Sequence, residues 1–482
     1  MLKTDKLKTD KFFIDGAWVK PKSDAFLDVV NPATEEVITR VALGNSEDVD
    51  AAVAAAKSAF ATWSQTTPQE RLRILEAVAV VYARRTGEMA AAVSQEMGAP
   101  LAFATQQQVP IGLSHLEEVL KILRTYEFQQ VRGPVTLVRE PVGVCALITP
   151  WNWPLNQILC KVAPALAAGC TVVLKPSELA PLNAVLFAEV LEEAGVPRGV
   201  FNMVHGTGEG VGVPLSRHPD VDMVSFTGST RAGIEVSKNA ADTIKRVTLE
   251  LGGKAANIVL SDADLAKSAT NALKACFINS GQTCIAPSRI LVQKEQVAEF
   301  AKAMREAIKA FPVGDPNAES TVLGPVASVR QYEKIQGLIK SGLDEGAELL
   351  TGGLGRPSGL NRGYYIQPTV FVKVDPSMTV AREEIFGPVM CIIPYEDEAD
   401  AIRIANDSVY GLGGGVQSAD RKRAFRVASQ IRTGVMMIND ATPDLSAPFG
   451  GYKQSGNGRE WGHFGFEEFL EVKTVMGYQE AS

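Results

Sequence analysis

Cys284 is the side chain in this sequence with the best setting for nucleophilic catalysis. It ends the stretch Asn279-Ser280-Gly281-Gln282-Thr283-Cys284, directly after a segment of helical character at 264–278. A thiolate is a strong nucleophile when it lies partly exposed on a rigid turn close to hydrogen-bond donors. A cysteine is also a common small core residue, so this loop alone leaves both roles open.

Glu250 and Asn152 each follow a short apolar run, where they could assist such a nucleophile. An acid at the carboxyl end of a parallel strand points into the ligand crevice, and burial there raises its pKa toward that of a general base. An ion pair between Glu250 and Lys254 is the structural alternative. Asn152 lies in the stiff loop Trp151-Asn152-Trp153-Pro154. Its amide is either a neutral donor for an oxyanion or an ordinary turn residue.

Two further stretches have the chemistry of nucleotide binding. Lys175, Ser177 and Glu178 follow an apolar run at 171–174, and Pro176 disfavours helix at Lys175. The Lys and Glu could contact ribose hydroxyls, and the acid would repel a 2′-phosphate; a surface ion pair is the alternative. At 226–233 an apolar run leads through small residues into a helix, whose first amides could bind a pyrophosphate.

A glycine-rich stretch at 206–212 does not fit the usual dinucleotide fingerprint. Read from Gly206 as G-x-G-x-x-G, its sixth position is Val211. The fingerprint needs glycine there so that helix and strand pack closely. The turn at 226–233 is therefore the better candidate for binding a pyrophosphate.

The elements that would position these residues form an alternating α/β pattern. From residue 141 onward, short apolar runs alternate with helix-like segments, which predicts βαβ units and parallel sheets. The first third is more helical: a run at 46–63 is followed by Thr67-Pro68-Gln69-Glu70, a capping box. A length of 482 residues predicts at least two domains, with a boundary near Gly252.

Composition excludes several other classes of protein. The net charge of −7 gives no general basic field for nucleic acid or anionic membrane. No apolar stretch is long enough to span a membrane. Six cysteines and four histidines, widely scattered, predict no disulfide framework and no metal site. A cytoplasmic, reducing environment is therefore expected.

Taken together, the motifs resemble those of the aldehyde dehydrogenase superfamily. They occur in order along nearly the whole chain, and the resemblance covers 12–478. They are Trp151-Asn152-Trp153-Pro154, Lys175-Pro176-Ser177-Glu178, the turn at 226–233, Glu250-Leu251-Gly252-Gly253-Lys254, the cysteine loop, Glu383-Glu384-Ile385-Phe386-Gly387-Pro388 and Pro448-Phe449-Gly450-Gly451-Tyr452-Lys453.

The resemblance implies a role for each matching residue. Cys284 is the nucleophile that gives a thiohemiacetal and then a thioester, Asn152 and the Cys284 backbone N–H hold the oxyanion, and Glu250 activates the hydrolytic water. Lys175 joins the catalytic set and also contacts the adenine ribose. The implied cofactor contacts are Thr149, Pro150, Trp151, Lys175, Ser177, Glu178, Gly208, Phe226, Thr227, Gly228, Ser229, Leu251, Glu384 and Phe386. The implied substrate pocket comprises Trp153, Gln157, Cys160, Thr283, Ile285 and Phe449, with no metal.

By the same resemblance, the expected activity is oxidation of an aldehyde to a free acid with NAD, preferred over NADP because of Glu178. Cys160 and Pro443 stand where many members have large aromatics, which predicts a roomy pocket for bulky aldehydes. A semialdehyde-specific or coenzyme-A-acylating dehydrogenase is the alternative, and a non-catalytic binding protein is a more distant one.

The implied fold has two α/β domains with parallel-rich sheets and a small β extension for oligomerisation. The nucleotide-binding domain comprises residues 12–122 and 142–252, and the catalytic domain 253–453. Segments 123–141 and 454–482 are expected to form the extension and to build a homodimer or homotetramer. Residues 1–11, a tandem Leu-Lys-Thr-Asp-Lys repeat, are expected to be a flexible tail.

Overall fold

A computed structural model describes residues 4–439 and 441–477. Residues 1–3 of the predicted N-terminal tail and residues 478–482 of the predicted C-terminal segment lie outside the described residues. The strands are β1 (Phe12–Ile14), β2 (Ala17–Val19), β3 (Phe26–Asn31), β4 (Glu36–Ala42), β5 (Gln129–Arg132), β6 (Val135–Pro141), β7 (Val144–Ile148), β8 (Thr171–Lys175), β9 (Phe201–Met203), β10 (Met223–Thr227), β11 (Arg246–Glu250), β12 (Ala256–Val259), β13 (Arg289–Gln293), β14 (Glu348–Thr351), β15 (Thr369–Val372), β16 (Val389–Tyr395), β17 (Gly413–Gln417), β18 (Val435–Ile438), β19 (Gly456–Asn457) and β20 (Leu470–Met476). The helices are α1 (Ser46–Trp63), α2 (Pro68–Arg84), α3 (Thr86–Met97), α4 (Leu101–Phe103), α5 (Pro110–Thr125), α6 (Pro154–Ala168), α7 (Leu182–Glu193), α8 (Val213–Arg217), α9 (Thr230–Ala240), α10 (Leu265–Phe277), α11 (Val297–Ala307), α12 (Val329–Asp344), α13 (Thr379–Arg382), α14 (Glu398–Asn406), α15 (Arg421–Ala428) and α16 (Gly462–Glu467).

The first domain is a doubly wound α/β unit built on an eight-stranded sheet. Its strand order is β19-β11-β10-β7-β8-β9-β1-β2, and β7 to β11 run parallel. The chain goes from β7 outward to β9 and then returns to the other side of β7 for β10 and β11. The switch in direction therefore lies between β7 and β10, where such sheets bind their ligands.

Local sequence accounts for the start of the two long helices in this domain. The side chain of Asn45 caps α1 in a capping box with Asp48. Thr67 caps α2 and accepts from the Glu70 backbone, while the Glu70 carboxylate accepts from the Thr67 N–H. The capping box predicted from the sequence is thus confirmed.

The second domain repeats the same architecture with a seven-stranded sheet. Its order is β14-β15-β16-β13-β12-β17-β18, and only the edge pair of β14 and β15 is antiparallel. Buried aliphatic residues pack on both faces of this sheet, as a parallel sheet covered by helices requires. The expectation of two α/β domains with parallel-rich sheets is confirmed.

The two segments expected to form the β extension do pair, but the C-terminal one has two parts. Strand β20 pairs with β6 in antiparallel register from Leu470↔Pro141 to Met476↔Val135, and β5 completes a three-stranded sheet. Upstream, β19 pairs instead with β11 in the first domain. The residues between β19 and β20 therefore lie against the sheet edge that carries Glu250.

The described part of the N-terminal tail contacts the first domain. The Lys8 ammonium lies 4.7 Å from the centre of the Trp18 ring and 3.1 Å from the Glu192 carboxylate. Thr9 is buried, and its carbonyl accepts from the Ala42 N–H. In the described residues, none of the helices combines the length and apolar character that crossing a membrane would need.

Candidate active site

The crevice at the switch point between β7 and β10 is lined by residues that follow these strands. Thr149, Pro150 and Trp151 continue from β7, and Gly228 follows β10. Strand β11 brings Glu250 beside Thr227 in parallel register, and the Gly228 N–H donates to the Glu250 carbonyl at 3.0 Å. One edge of one sheet thus positions the predicted oxyanion loop, pyrophosphate turn and general base.

A strained loop holds Cys284 at the start of the second domain. After α10 the backbone takes left-handed conformations at Asn279 (φ 55°), Ser280 (φ 54°) and Gly281 (φ 76°). A Cβ on Gly281 would lie 2.1 Å from the Gly387 carbonyl carbon, so only glycine fits there. Such strain persists where surrounding contacts hold it, often at functional sites. Cys284 itself remains partly exposed.

The Asn152 amide is fixed against the nucleophile loop by a buried hydrogen-bond network. Its Nδ2 donates to the Gln282 carbonyl at 3.0 Å, two residues before Cys284. Asn279 donates to the Asn152 carbonyl at 2.7 Å. Gln108 donates to that carbonyl and to Asn279 Oδ1, each at 3.1 Å. The network orients the Asn152 amide toward the loop that carries the thiol.

Helix α6 connects this loop to the carboxylates of the site. The Trp153 indole N–H, just before α6, donates to Thr283 Oγ1 at 3.0 Å. Further along the helix, Lys161 forms a buried ion pair with Glu460, and the Cys160 thiol donates to Glu460 at 3.4 Å. The helix therefore runs from the nucleophile loop to Glu460.

Glu250 is a buried carboxylate without a hydrogen-bond partner. Only 4 % of the residue is exposed, and neither side-chain oxygen accepts a hydrogen bond within the described chain. Burial raises the pKa of Glu250 well above its usual value, and the negative charge of Glu460 raises it further; Lys161 and Arg459 act in the opposite direction. The alternative, an ion pair between Glu250 and Lys254, does not form among the described residues. A desolvated carboxylate of this kind is a stronger base than an exposed one, as proton abstraction from water requires.

The pKa of the Cys284 thiol is also raised. Burial is the main cause, and the charges of Glu250, Glu384 and Glu460 add to it. The thiol therefore stays protonated at neutral pH until a base removes its proton or a cationic group approaches. The acids around it keep the resting nucleophile in its less reactive form.

The expected cofactor residues of the two domains meet at the same crevice. The rings of Trp151 and Phe386 contact edge to face, with centroids 5.5 Å apart. Glu384 accepts from the Gly253 N–H at 2.9 Å, and burial raises the pKa of its carboxyl. Phe226, on β10, and Leu251, directly after β11, are buried in a hydrophobic core of the first domain.

Two buried hydroxyls at the crevice fit a bound polar ligand. Thr149 Oγ1 and Thr227 Oγ1 have no hydrogen-bond partner in the described structure, although buried hydroxyls normally have one. Ser229 instead caps α9 by accepting from the Ala232 N–H. The start of α9 therefore presents backbone amides next to unsatisfied hydroxyls, a combination suited to a nucleotide phosphate.

Lys175 lies with Ser177 and Glu178, which are expected at the adenine ribose, and away from Cys284. At the end of β8 it is three strands from Glu250, about 14 Å at the usual strand spacing. Its ammonium donates to Glu178 at 3.2 Å, and Ser177 accepts from the Leu179 N–H. The turn containing Gly208 adjoins it, because a Cβ on Gly212 would lie 3.8 Å from Lys175 Cδ. The structure thus separates Lys175 from the other three residues of the predicted catalytic set.

The expected substrate-pocket residues surround the same helix and loop. Gln157 and Cys160 are buried on α6, and Phe449 pairs with Glu460 through two backbone hydrogen bonds. The next residue, Gly450, is close to Glu250, since a Cβ there would lie 2.8 Å from the Glu250 carboxylate. Ile285 packs against Gly413 at the start of β17.

The sequence analysis did not identify the residues that position the predicted catalytic groups or shift their pKa. Lys161 had a visible signal, because it is the one charged residue of helix α6 and a fully buried lysine needs a partner. Glu460 and Gln108 had no signal in the sequence, because the fold alone brings each to its partner. Glu460 is 299 residues from Lys161, and Gln108 is 44 residues from Asn152.

Comparisons with known proteins agree with this geometry. A family model described as the aldehyde dehydrogenase family matches residues 18–475. A 3-succinoylsemialdehyde-pyridine dehydrogenase from a Pseudomonas species is 56 % identical over 470 residues, covering 97 % of this chain and 98 % of that protein. A cysteine-to-alanine variant of aldehyde dehydrogenase C from Pseudomonas syringae, in complex with NAD⁺ and octanal, has a TM-score of 0.99 at 51 % identity, covering 100 % and 99 % of the two chains. Betaine aldehyde dehydrogenase from Staphylococcus aureus with NAD⁺ has a TM-score of 0.95 at 37 % identity, covering 99 % and 96 %.

Proposed function

Because this chain belongs to the aldehyde dehydrogenase family, we propose that it oxidises an aldehyde to the free carboxylic acid with NAD⁺ and water. One observation carries the proposal: Glu250, a buried carboxylate that accepts no hydrogen bond from the described residues, lies at the same crevice as the strained Cys284 loop and the Asn152 amide. Hydrolysis of a thioester needs all three groups.

The first step is addition of the Cys284 sulfur to the aldehyde carbon. The thiol proton is released to water, and the carbonyl oxygen becomes an oxyanion. Asn152 Nδ2 and the Cys284 backbone N–H donate to that oxygen. Donors held in place before the charge develops stabilise the transition state more than the substrate.

Thr149, Thr227, the start of α9, Glu384 and the ring pair of Trp151 and Phe386 would hold the dinucleotide. When bound, it supplies the hydride acceptor that converts the thiohemiacetal to a thioester. Both unsatisfied hydroxyls belong to this set, and structural relatives are NAD⁺ complexes.

In the last step Glu250 accepts a proton from water while the water oxygen adds to the thioester carbon. Cys284 leaves as the thiolate and takes up a proton, and the carboxylic acid departs. A base with a raised pKa binds that proton strongly, which is the property deacylation requires.

The variant Glu250→Gln separates acylation from deacylation. It keeps the size of the side chain and removes the base, so we expect a burst of NADH of about one equivalent per site followed by a turnover slowed about 10²-fold or more. Stopped-flow absorbance measures both phases. Loss of the burst together with turnover would contradict a role confined to deacylation.

We further propose that NAD is preferred over NADP. Glu178 accepts a hydrogen bond from Lys175, the proposed contact to the adenine ribose, and a carboxylate beside that ribose would repel a 2′-phosphate. Steady-state kinetics with both cofactors test this, and a higher kcat/KM with NADP would overturn it.

A semialdehyde-specific enzyme is the second candidate, favoured by the name of the Pseudomonas relative. A panel of aliphatic, aromatic and ω-carboxylated aldehydes separates it from a broad-range enzyme. Coenzyme A should not raise the rate, because retention of Glu250 favours water as the acyl acceptor. The enzyme is proposed to act in a reducing cytoplasm as a homodimer or homotetramer, in keeping with six free cysteines.

A further inference from the structure

Trp461 has a backbone conformation that bulky residues rarely adopt. Its φ is 67°, in the left-handed region, at the position between Glu460 and the first residue of α16. The β-carbon of such a residue is crowded by the backbone, so the conformation persists only where other contacts hold it. The contacts of Trp461 therefore show what fixes this turn.

The indole ring of Trp461 stacks on the ring of Phe449. The two ring centroids are 4.3 Å apart, and the ring planes differ by 24°. The ring of His115 also lies near the indole, at a centroid distance of 5.3 Å. The indole N–H makes no hydrogen bond within the described residues. Packing of the aromatic rings, and not a polar contact of the indole, therefore holds Trp461 in place.

The backbone joins this stacked pair to Glu460. The Phe449 N–H donates to the Glu460 carbonyl at 2.8 Å, and the Glu460 N–H donates to the Phe449 carbonyl at 2.7 Å. The Glu460 backbone also touches α16, because a Cβ on Gly465 would lie 2.5 Å from the Glu460 carbonyl carbon. These contacts fix the Glu460 backbone. Its carboxylate, in a residue that is 7 % exposed, pairs with Lys161.

The segment that carries Phe449 also reaches Glu250. Gly450 directly follows Phe449, and a Cβ there would lie 2.8 Å from the Glu250 carboxylate. We propose that Trp461 is a positioning residue, whose stack on Phe449 fixes the Glu460 carboxylate within the buried charge cluster around the base. This inference rests on the proposed function, in which Glu250 is the base for deacylation, and adds a residue that acts through Glu460.

The groups of this charge cluster act on Glu250 in opposite directions. Its charged members are Glu460, Lys161, Arg459 and Glu468, and the thiols of Cys160 and Cys284 also lie close to Glu250. Burial raises the pKa of Glu250 and the charge of Glu460 raises it further, whereas Lys161 lowers it. A Glu460 carboxylate released from its fixed position gains water around it, and water screens its charge. The pKa of Glu250 should then fall.

Trp461→Gly removes the ring and permits the left-handed backbone without crowding. With the full-length enzyme, NAD⁺ and hexanal, we expect the acidic limb of kcat against pH to move to lower pH by about half a unit, because kcat rises with deprotonation of Glu250. Phe449→Leu removes the other ring of the stack, so its acidic limb should move in the same direction. Trp461→Phe keeps an aromatic ring for the stack and loses no hydrogen bond of the described structure, so its limb should stay in place.

Two controls show whether Trp461 acts through Glu460. In the double variant Glu460→Gln/Trp461→Gly the acidic limb should lie where it lies in Glu460→Gln alone, because no carboxylate is left to release. Phe464→Leu changes another aromatic residue of this region, which lies on α16 and is 59 % exposed. Its acidic limb should match that of the wild type.

An acidic limb that stays in place or moves to higher pH in Trp461→Gly or in Phe449→Leu overturns the inference, as does an equal shift in Trp461→Phe. Additive shifts in the double variant overturn it too, since Trp461 would then act on Glu250 without Glu460. If Trp461→Gly does not fold, Phe449→Leu and its double variant with Glu460→Gln give the same two answers. Absence of NADH with every aldehyde contradicts the proposed function itself, whereas wild-type turnover with unmoved limbs contradicts only the role of Trp461.

Discussion

At the scale of single residues, the site is controlled by charges that do not touch the substrate. Burial raises the pKa of Glu250, and Glu460 raises it further, while Lys161 lowers it. Lys161 and Glu460 are paired with each other, so their opposing effects on Glu250 partly cancel. Changing either one should tune the base without removing it.

Glu460→Gln tests this at the level of the pH profile. The variant removes the negative charge of Glu460 near Glu250 and leaves the positive charge of Lys161 uncompensated. Both changes lower the pKa of Glu250. Because the base must be deprotonated, kcat rises with pH through this pKa, and the acidic limb should move to lower pH by about one unit. Measurement of kcat against pH for the hydrolytic turnover checks the shift.

Glu468→Gln is the matched control, since Glu468 affects the pKa of Glu250 in the same direction but least among the causes. Its acidic limb should move less. Breaking the buried pair also destabilises the Glu460 variant, by about 3–5 kcal/mol, so a folded fraction must be confirmed first. An acidic limb that stays in place or moves to higher pH contradicts this electrostatic account.

Gln108→Leu tests the positioning of the oxyanion donor. Gln108 does not touch the thiol, but it holds the Asn152 carbonyl and Asn279. Loss of these bonds should lower kcat about 10- to 100-fold, because small displacements of a catalytic group are costly, with the KM for NAD⁺ nearly unchanged. The burst rate and the steady-state rate should fall together, since both steps pass through an oxyanion.

Thr105→Val is the control for this variant, because Thr105 lies on the same π-helical turn (Ala104–Gln108) but is exposed. Within the described part of the chain, its hydroxyl bonds only to the Leu101 carbonyl. It should retain normal kcat. An increase in the KM for NAD⁺ without a change in kcat for Gln108→Leu would instead indicate a role at the cofactor site.

The sequence predicted those residues whose chemistry is visible in a local motif. Cys284, Glu250 and Asn152 each stand in a short stretch that alone leaves more than one role open, and only the ordered set of motifs along the chain assigns them to one reaction. Gln108 and Glu460 could not be found in this way. The role of such a buried polar residue depends on its hydrogen-bond or ion-pair partners, which are distant in the sequence and are brought near only by the fold.

At the scale of elements, the site depends on a close approach between two backbone segments. The glycine pair after β11 crosses the Cys284 loop, and a Cβ on Gly253 would lie 2.5 Å from the Cys284 carbonyl oxygen. Two backbones this close leave no room for a side chain. The sequence motif Gly252-Gly253 thus reflects packing between domains as well as a domain boundary.

Gly253→Ala should displace the nucleophile loop. Since the clash is with backbone, a flexible side chain cannot relieve it, and we expect kcat to fall about 10²-fold. Alkylation of Cys284 by iodoacetamide in the folded enzyme gives an independent measure of the loop position.

Gly337→Ala in α12 is the control, because no atom lies within 4 Å of its added Cβ. It should keep normal kcat and gain up to about 1 kcal/mol of stability from the better helix former. Normal kcat and alkylation in Gly253→Ala would show that the loop accommodates a methyl group.

Prediction of the elements succeeded where periodicity is strong and failed where pairing is distant. Strands β7, β8 and β10 are fully buried runs bounded by turn residues, and α2 begins with a capping box. The two-residue strand β19 has no such pattern. It pairs with β11 because the chain returns to that sheet edge. This pairing depends on tertiary structure, so the strand propensity of the local sequence does not predict it.

At the scale of the whole molecule, the three-stranded sheet of β20, β6 and β5 is the part of the chain that most needs a partner. Val472 and Met476 are 52 % and 78 % exposed on the same face of β20, since they are four residues apart on a strand. Leu137 and Val135 of β6 lie on that face, opposite Thr474 and Met476. An apolar face on an open sheet is prone to association.

The double variant Val472→Asp/Met476→Asp should therefore dissociate the proposed oligomer. Two carboxylates on this face would have to be buried without partners in the interface, which costs far more than exposing them in a monomer. Light scattering after size exclusion should give a multiple of 51.6 kDa for the wild type and the mass of one chain for the variant. Ile244→Asp is the control, because Ile244 is 92 % exposed and lies outside this sheet. If the double variant keeps the wild-type mass while Ile244→Asp dissociates, the subunits associate through the surface around Ile244 and not through the three-stranded sheet.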